Sequence, residues 1–188
     1  MHWLVLEYES SPYNTKCRFT YDYPLEDRLK KAPFGKAKKV LLVSFEGGPR
    51  VEPLPGEKID STKVRSRLSL PLELPQYQGV AVYEVLALSS KQLDDLTNIL
   101  FNYGFWRDRK SVIQMVGPTC YSPQHMLQFY ADPKDTVPFA WVEICLDCLK
   151  HKVFPSDFDL GMFCDGKYDL LREFFRQAGI QHGLDGIK

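Results

Sequence analysis

Two stretches of the chain repeat apolar residues at helical spacing, and they limit the folds open to it more than any other feature. In the first, Ser89 is followed three positions later by Gln92, a capping-box signature, and Leu93, Leu96, Ile99 and Leu100 then share one face before Gly104. In the second, residues 167–178, the side chains of Leu170, Leu171, Phe174, Phe175 and Ala178 form a stripe that stops at Gly179. Glycine suits the left-handed conformation that closes a helix. Both stripes need an apolar surface to cover, and the runs able to supply one have strand character. These are residues 2–8, 18–23, 40–45, 79–88 and 112–116, and the pair 126–130 and 137–146 around the polar turn Ala131-Asp132-Pro133-Lys134-Asp135. The pair predicts an antiparallel hairpin, with Trp141 and Glu143 on one face of its second strand and Val142 and Ile144 on the other. Strands and helices do not alternate in the regular manner of a parallel sheet. The expectation is therefore an α+β fold, a mostly antiparallel sheet with two main helices packed on one side.

A chain of 188 residues suits a single domain, residues 1–188, and can bury most of its apolar surface without help from metals or disulfides. Within it, residues 1–78 form a proline-rich N-terminal part with strands, and residues 79–188 hold the first helix, the hairpin and the C-terminal helix. Between residues 50 and 78 prolines and charges fit an exposed connection. Lys63, Arg65 and Arg67 read there as a solvated face or a patch for an anionic ligand. Hydrophobic residues at 44% and charged residues at 26% argue against extensive disorder. The 24 basic and 24 acidic residues cancel, so no long-range field recruits nucleic acid or an anionic membrane. The apolar runs are too short to span a bilayer, and Glu7 and Glu9 interrupt the opening stretch too early for a signal sequence. The chain as written reads as cytoplasmic, with export left open if a leader has been removed.

The chemistry with most promise lies in the cysteines. Of the five, Cys120, Cys145, Cys148 and Cys164 gather in the C-terminal third, and Cys17 stands apart. Cys145-Leu146-Asp147-Cys148 is a Cys-x-x-Cys pair, which lets two thiolates converge on one tetrahedral ion such as zinc, with Cys120 and Cys164 as the further ligands. His125 or His151 could replace one thiol. In a continuing strand residues 145 and 148 would point to opposite faces, so the chain must turn by about Leu146, and Leu149 stands where a glycine would ease the reversal. Other readings remain open. The cysteines could be buried small hydrophobes or disulfide partners. The Cys-x-x-Cys pair could exchange disulfides, or Cys164 or Cys145 could act as a nucleophile with His125, His151 or His182. Phosphate-loop, dinucleotide-binding, nucleophile-elbow and zinc-protease signatures are absent from the sequence.

The runs Leu88-Ser89-Ser90-Lys91-Gln92-Leu93, Ile99-Leu100-Phe101-Asn102-Tyr103, Cys120-Tyr121-Ser122-Pro123, Phe129-Tyr130 and Glu143-Ile144-Cys145-Leu146-Asp147-Cys148 share a pattern with the C-terminal segment Cys164, Lys167, Leu170, Phe174-Phe175 and Gly179-Ile180. Together they resemble, over the C-terminal half, a family of uncharacterised bacterial proteins. In that family a helix ending in Asn-Tyr precedes a Cys-Tyr-x-Pro segment and a strand closing in Cys-x-x-Cys. This chain has Gln124 where the pattern carries a basic residue after the proline. The resemblance implies a thiol cluster and names no activity. The functional expectation is a binding or interaction module with a structural thiol site, zinc or disulfide. The alternatives are a thiol-dependent enzyme and an immunity or adaptor protein with a protein partner.

Overall fold

The computed structural model describes residues 17–47, 80–104, 121–161 and 163–185. Its elements are β1 (Arg18–Phe19), α1 (Leu25–Lys30), a 3-10 turn (Phe34–Lys36), β2 (Lys39–Phe45), β3 (Val82–Ala87), α2 (Ser90–Asn102), β4 (Tyr103–Gly104), β5 (His125–Tyr130), β6 (Ala140–Cys145), β7 (Lys150–Phe154) and α3 (Asp165–Ala178). Five strands form one sheet in the order β3-β2-β5-β6-β7, every neighbouring pair antiparallel, and β1 pairs with β4 in a separate two-stranded ribbon. The fold is α+β, as the sequence predicts. Among the described residues no helix is long and apolar enough to cross a membrane.

Alternation along the strands decides which side chains meet the helices. Val40 and Leu42 of β2, Leu127 and Phe129 of β5, and Ala140, Val142 and Ile144 of β6 share one core with Leu96 and Leu100 of α2 and with Leu171, Phe174 and Phe175 of α3. Residues in between face the other way, where Val43, Phe45, Val82, Met126 and Trp141 make a second cluster. The hairpin and its two faces are as the sequence predicts. β5 and β6 are buried along their whole lengths, so the centre of the sheet is covered on both sides.

Both helices end as their sequences dictate. Ser89 Oγ accepts the Gln92 N–H at 3.3 Å and the Gln92 side chain accepts the Ser89 N–H at 2.8 Å, which closes the capping box of α2. Gly179 has φ of 109°, and the Ile180 N–H reaches back to the Phe175 carbonyl at 3.0 Å, a left-handed close to α3. The last turn of α2 is served from outside. Lys167 Nζ, fully buried, donates to the Leu100 carbonyl at 2.7 Å, and Gly161, with φ of +80°, packs so near the same oxygen that a Cβ would collide with it.

Several elements differ from the sequence reading. The strand expected over residues 18–23 shortens to the two-residue β1, because the chain turns there to bind the end of α2. Thr20 and Tyr21 donate their N–H groups to the Asn102 carbonyl, and Asn102 Oδ1 accepts the Tyr23 N–H at 2.9 Å. α1, six residues long, carries no apolar stripe of the kind that marks α2 and α3. It is anchored by the buried Arg28, which donates to the Asp94 carbonyl, to Thr97 Oγ1 and to the Tyr23 carbonyl. β7 has no sequence signal, since Lys-His-Lys-Val-Phe shows no clean apolar alternation, and its partner β6 fixes it as an edge strand. The expected strands at 2–8 and 112–116 lie outside the described residues.

The turn between β6 and β7 bears out the concern over its last residue. Leu149 sits at φ of 50° in the left-handed region, where a side chain with a Cβ is disfavoured by about 1–2 kcal/mol. Leu149→Gly is expected to raise stability by up to about 1 kcal/mol, after the entropy that glycine adds to the unfolded chain, whereas Leu149→Val lowers it. Urea midpoints of the two variants against the parent check the opposite signs.

Candidate functional site

The thiols follow from these elements. Cys145 closes β6 on the face turned away from the helices, is 2% exposed, and lies with Sγ 3.4 Å from the Ser122 carbonyl. It is the free cysteine among the described residues. Cys148 lies three residues on, in the β6–β7 turn, is buried, and is disulfide-bonded. Cys164 is the N-cap residue of α3 and is bonded to Cys17, with the two Cα atoms 5.5 Å apart. Cys120 lies outside the described residues.

Of the four cysteines expected at one site, the three described are met in different bonding states. Cys148 and Cys164 present disulfide sulfurs, whereas zinc takes thiolates. Among the described residues no group of three or more His, Cys, Asp and Glu side chains is arranged to hold a metal ion. Cys17, which stands apart from the other cysteines in the sequence, is the partner of Cys164. Nothing in its spacing points there. The signal is tertiary, because the β1–β4 ribbon carries the N-terminal segment to the end of α2, beside the start of α3.

The histidines are separated from the free thiol by the pleat. His125 opens β5 and pairs across the ladder with Ile144, facing α3, where its ring lies 5.2 Å from that of Phe175. Cys145, one residue further along β6, points to the opposite face. His151 lies on β7 with Nδ1 2.9 Å from the Tyr168 hydroxyl and its ring stacked 3.9 Å from Phe163. His182, beyond α3, stacks its ring on Tyr83 at 3.9 Å.

At that end of the sheet a polar clamp holds the segment that follows α3. Glu84 of β3 accepts the Gln181 N–H at 2.9 Å, the His182 N–H at 3.2 Å and the Ser44 hydroxyl at 2.6 Å. Burial alone would push its carboxyl up. The hydrogen bonds from Ser44, Gln181 and His182 outweigh that and hold it below the usual carboxylate range. His125 Nε2 lies 2.9 Å from the His182 carbonyl, and burial pushes the ring down to about 4. It is therefore neutral near pH 7, with Nε2 as the donor. His125 Nδ1 and His182 Nε2 are buried without a hydrogen-bond partner among the described residues. Arg172 of α3 completes the clamp, donating to the Leu184 carbonyl at 2.7 Å and to Asp147 Oδ1 at 3.0 Å.

Two groups near the start of α3 are also perturbed. Burial pushes His151 down to about 4 and pushes the Lys167 ammonium down to about 7. A cavity of about 480 Å³ opens beside β7, lined by Tyr121, Leu149, Lys150, His151, Lys152 and Tyr168. No family model, curated protein or solved structure matches the chain. Ser44 is fully buried with its hydroxyl donating to Glu84, and Cys145 is turned from His125, so neither pair presents a nucleophile to a substrate. What these groups do is hold main chain.

Proposed function

We propose that this protein is a binding or interaction module stapled by disulfides, with no thiol-dependent turnover. The observation that carries the reading is the Cys17–Cys164 bond, which engages the cysteine best placed for catalysis at a helix N-terminus. The burial of Cys145 supports it further. For the interaction surface, support comes from the edges of the sheet, where Tyr83 and Val85 of β3 and Phe154 of β7 stand 40–49% exposed. A protein partner that packs on such an edge suits a binding or adaptor role. The likeness to uncharacterised bacterial proteins with a Cys-Tyr-x-Pro segment and a terminal Cys-x-x-Cys belongs to the same reading. Disulfides persist in oxidising surroundings, so the proposal also expects the protein to work in such a compartment.

Thiol counting with metal analysis tests this. Protein unfolded without reductant should show one alkylatable thiol and bind no stoichiometric zinc, and reduction should raise the count to the five cysteines of the sequence. A non-reducing peptide map reads the partner of Cys148 directly. Five thiols before reduction, with one zinc per chain, would replace the disulfide version by the metal version. One cysteine alkylated far faster than the rest in the folded protein near neutral pH would favour the thiol-dependent enzyme instead.

A further inference from the structure

The two sulfurs of the Cys17–Cys164 bond differ in surroundings. Cys164 is 2% exposed and stands at the N-cap of the fourteen-residue α3. Cys17 is only partly buried and precedes β1, a strand of two exposed residues. An N-cap side chain normally accepts an N–H from the first turn, and here no such bond is made because the sulfur is committed to Cys17. Once released as a thiolate, Cys164 would occupy the position where helix N–H groups favour negative charge. Thiol–disulfide exchange is fastest when the accessible sulfur is attacked and the better-stabilised thiolate leaves. Exposure and charge therefore select the same direction.

We propose that Cys17–Cys164 is an exchange site for external thiols, attacked at Cys17 and opened with Cys164 as leaving group, and that its opening releases β1. The proposal rests on the reading of the chain as disulfide-stapled. In the first step a thiolate from a small thiol such as glutathione, or from a dithiol reductant, forms a bond to Cys17 Sγ. The Cys17–Cys164 bond breaks, and its electron pair goes to Cys164 Sγ. In the second step another thiolate attacks the external sulfur of the mixed disulfide, and Cys17 leaves as a thiolate. The reductant ends as its disulfide, the protein gains two electrons, and Cys17 takes a proton from solvent. β1 then loses its covalent tie to α3 and keeps non-covalent ones, among them the short ribbon to β4, the Thr20 hydroxyl bond to the Gly104 carbonyl and the Asn102 hydrogen bonds to Thr20, Tyr21 and Tyr23.

The full oxidised chain is treated with graded reduced glutathione under native conditions, quenched in acid, alkylated with N-ethylmaleimide and mapped by mass spectrometry. The expected result is glutathione on Cys17 and alkylation on Cys164, at a glutathione level that leaves the Cys148 bond intact. Hydrogen exchange on the same samples should show the amides of residues 18–21 exchanging roughly ten-fold faster after opening, with the β2–β5 ladder unchanged. Glutathione found on Cys164, both disulfides opening together, or unchanged exchange at 18–21 would each overturn the proposal. If the untreated protein shows no link between Cys17 and Cys164, the stapled-module reading itself fails, an outcome visible before any glutathione is added.

Discussion

Lowering the pH from 7 to 4 is expected to remove most of the stability of this fold. Burial pushes both His125 and His151 down to about 4, against an ordinary value near 6.5 in the unfolded chain. Between those values the unfolded state binds protons that the folded state refuses. The stability is thus fully present above about pH 6.5 and is lost as the pH falls toward 4. Each ring accounts for roughly 3 kcal/mol by pH 4, and the sum is comparable with the whole stability of a typical domain. Glu84, held low chiefly against its own burial by Ser44 and the two N–H groups, acts with the same sign at lower pH, where its carboxylate protonates. Lys167 adds nothing to this acid limb, since below pH 7 it is charged in both states. It adds stability instead as the pH rises from about 7 toward its unfolded value. Urea midpoints at pH 7, 6, 5 and 4 measure the slope. His125→Gln and His151→Phe should each flatten it by about half, and a parent protein with no slope would show that the rings are not buried neutral.

Removing the Cys17–Cys164 bond should have the second largest effect. The bond joins residues 147 positions apart, so its loss returns a large amount of freedom to the unfolded chain, worth roughly 2 to 5 kcal/mol. The two single variants should differ. Cys17→Ser leaves a thiol at the N-cap of α3, whereas Cys164→Ser places there a residue that accepts an N–H well. Cys164→Ser is therefore expected to be the more stable of the two by about 1 kcal/mol. Both are compared with oxidised parent in urea. Variants as stable as the oxidised parent would mean that the bond constrains nothing.

What the sequence shows and what it conceals divides along physical lines. α2 and α3 are legible because an apolar stripe, a capping box and a closing glycine agree with one another. The hairpin is legible because two β-rich runs flank a polar turn. β7 and α1 are not, since their polar residues acquire a structure only from partners: β6 in one case, and the Arg28 hydrogen bonds to α2 in the other. The strain at Leu149 can be anticipated from the need to reverse the chain between Cys145 and Lys150. The pairing of Cys164 with Cys17 cannot, because proximity along the chain favours Cys145 and Cys148, while the β1–β4 ribbon decides otherwise. The role of His125 is hidden for the same reason. Only the β2–β5 register sets it beside Ser44, and through Glu84 beside the main chain of His182.

That register also governs the order of events by which the molecule is made. The central ladder joins residues 39–44 to residues 125–130, so it cannot zip until β3, α2 and the chain beyond them have been synthesised. Non-local pairing of this kind slows self-assembly, because distant ends must meet before any contact rewards the search. On the ribosome β2 emerges with an apolar, unpaired flank and awaits its principal neighbour, which makes it the segment that a nascent-chain chaperone would have most reason to shield.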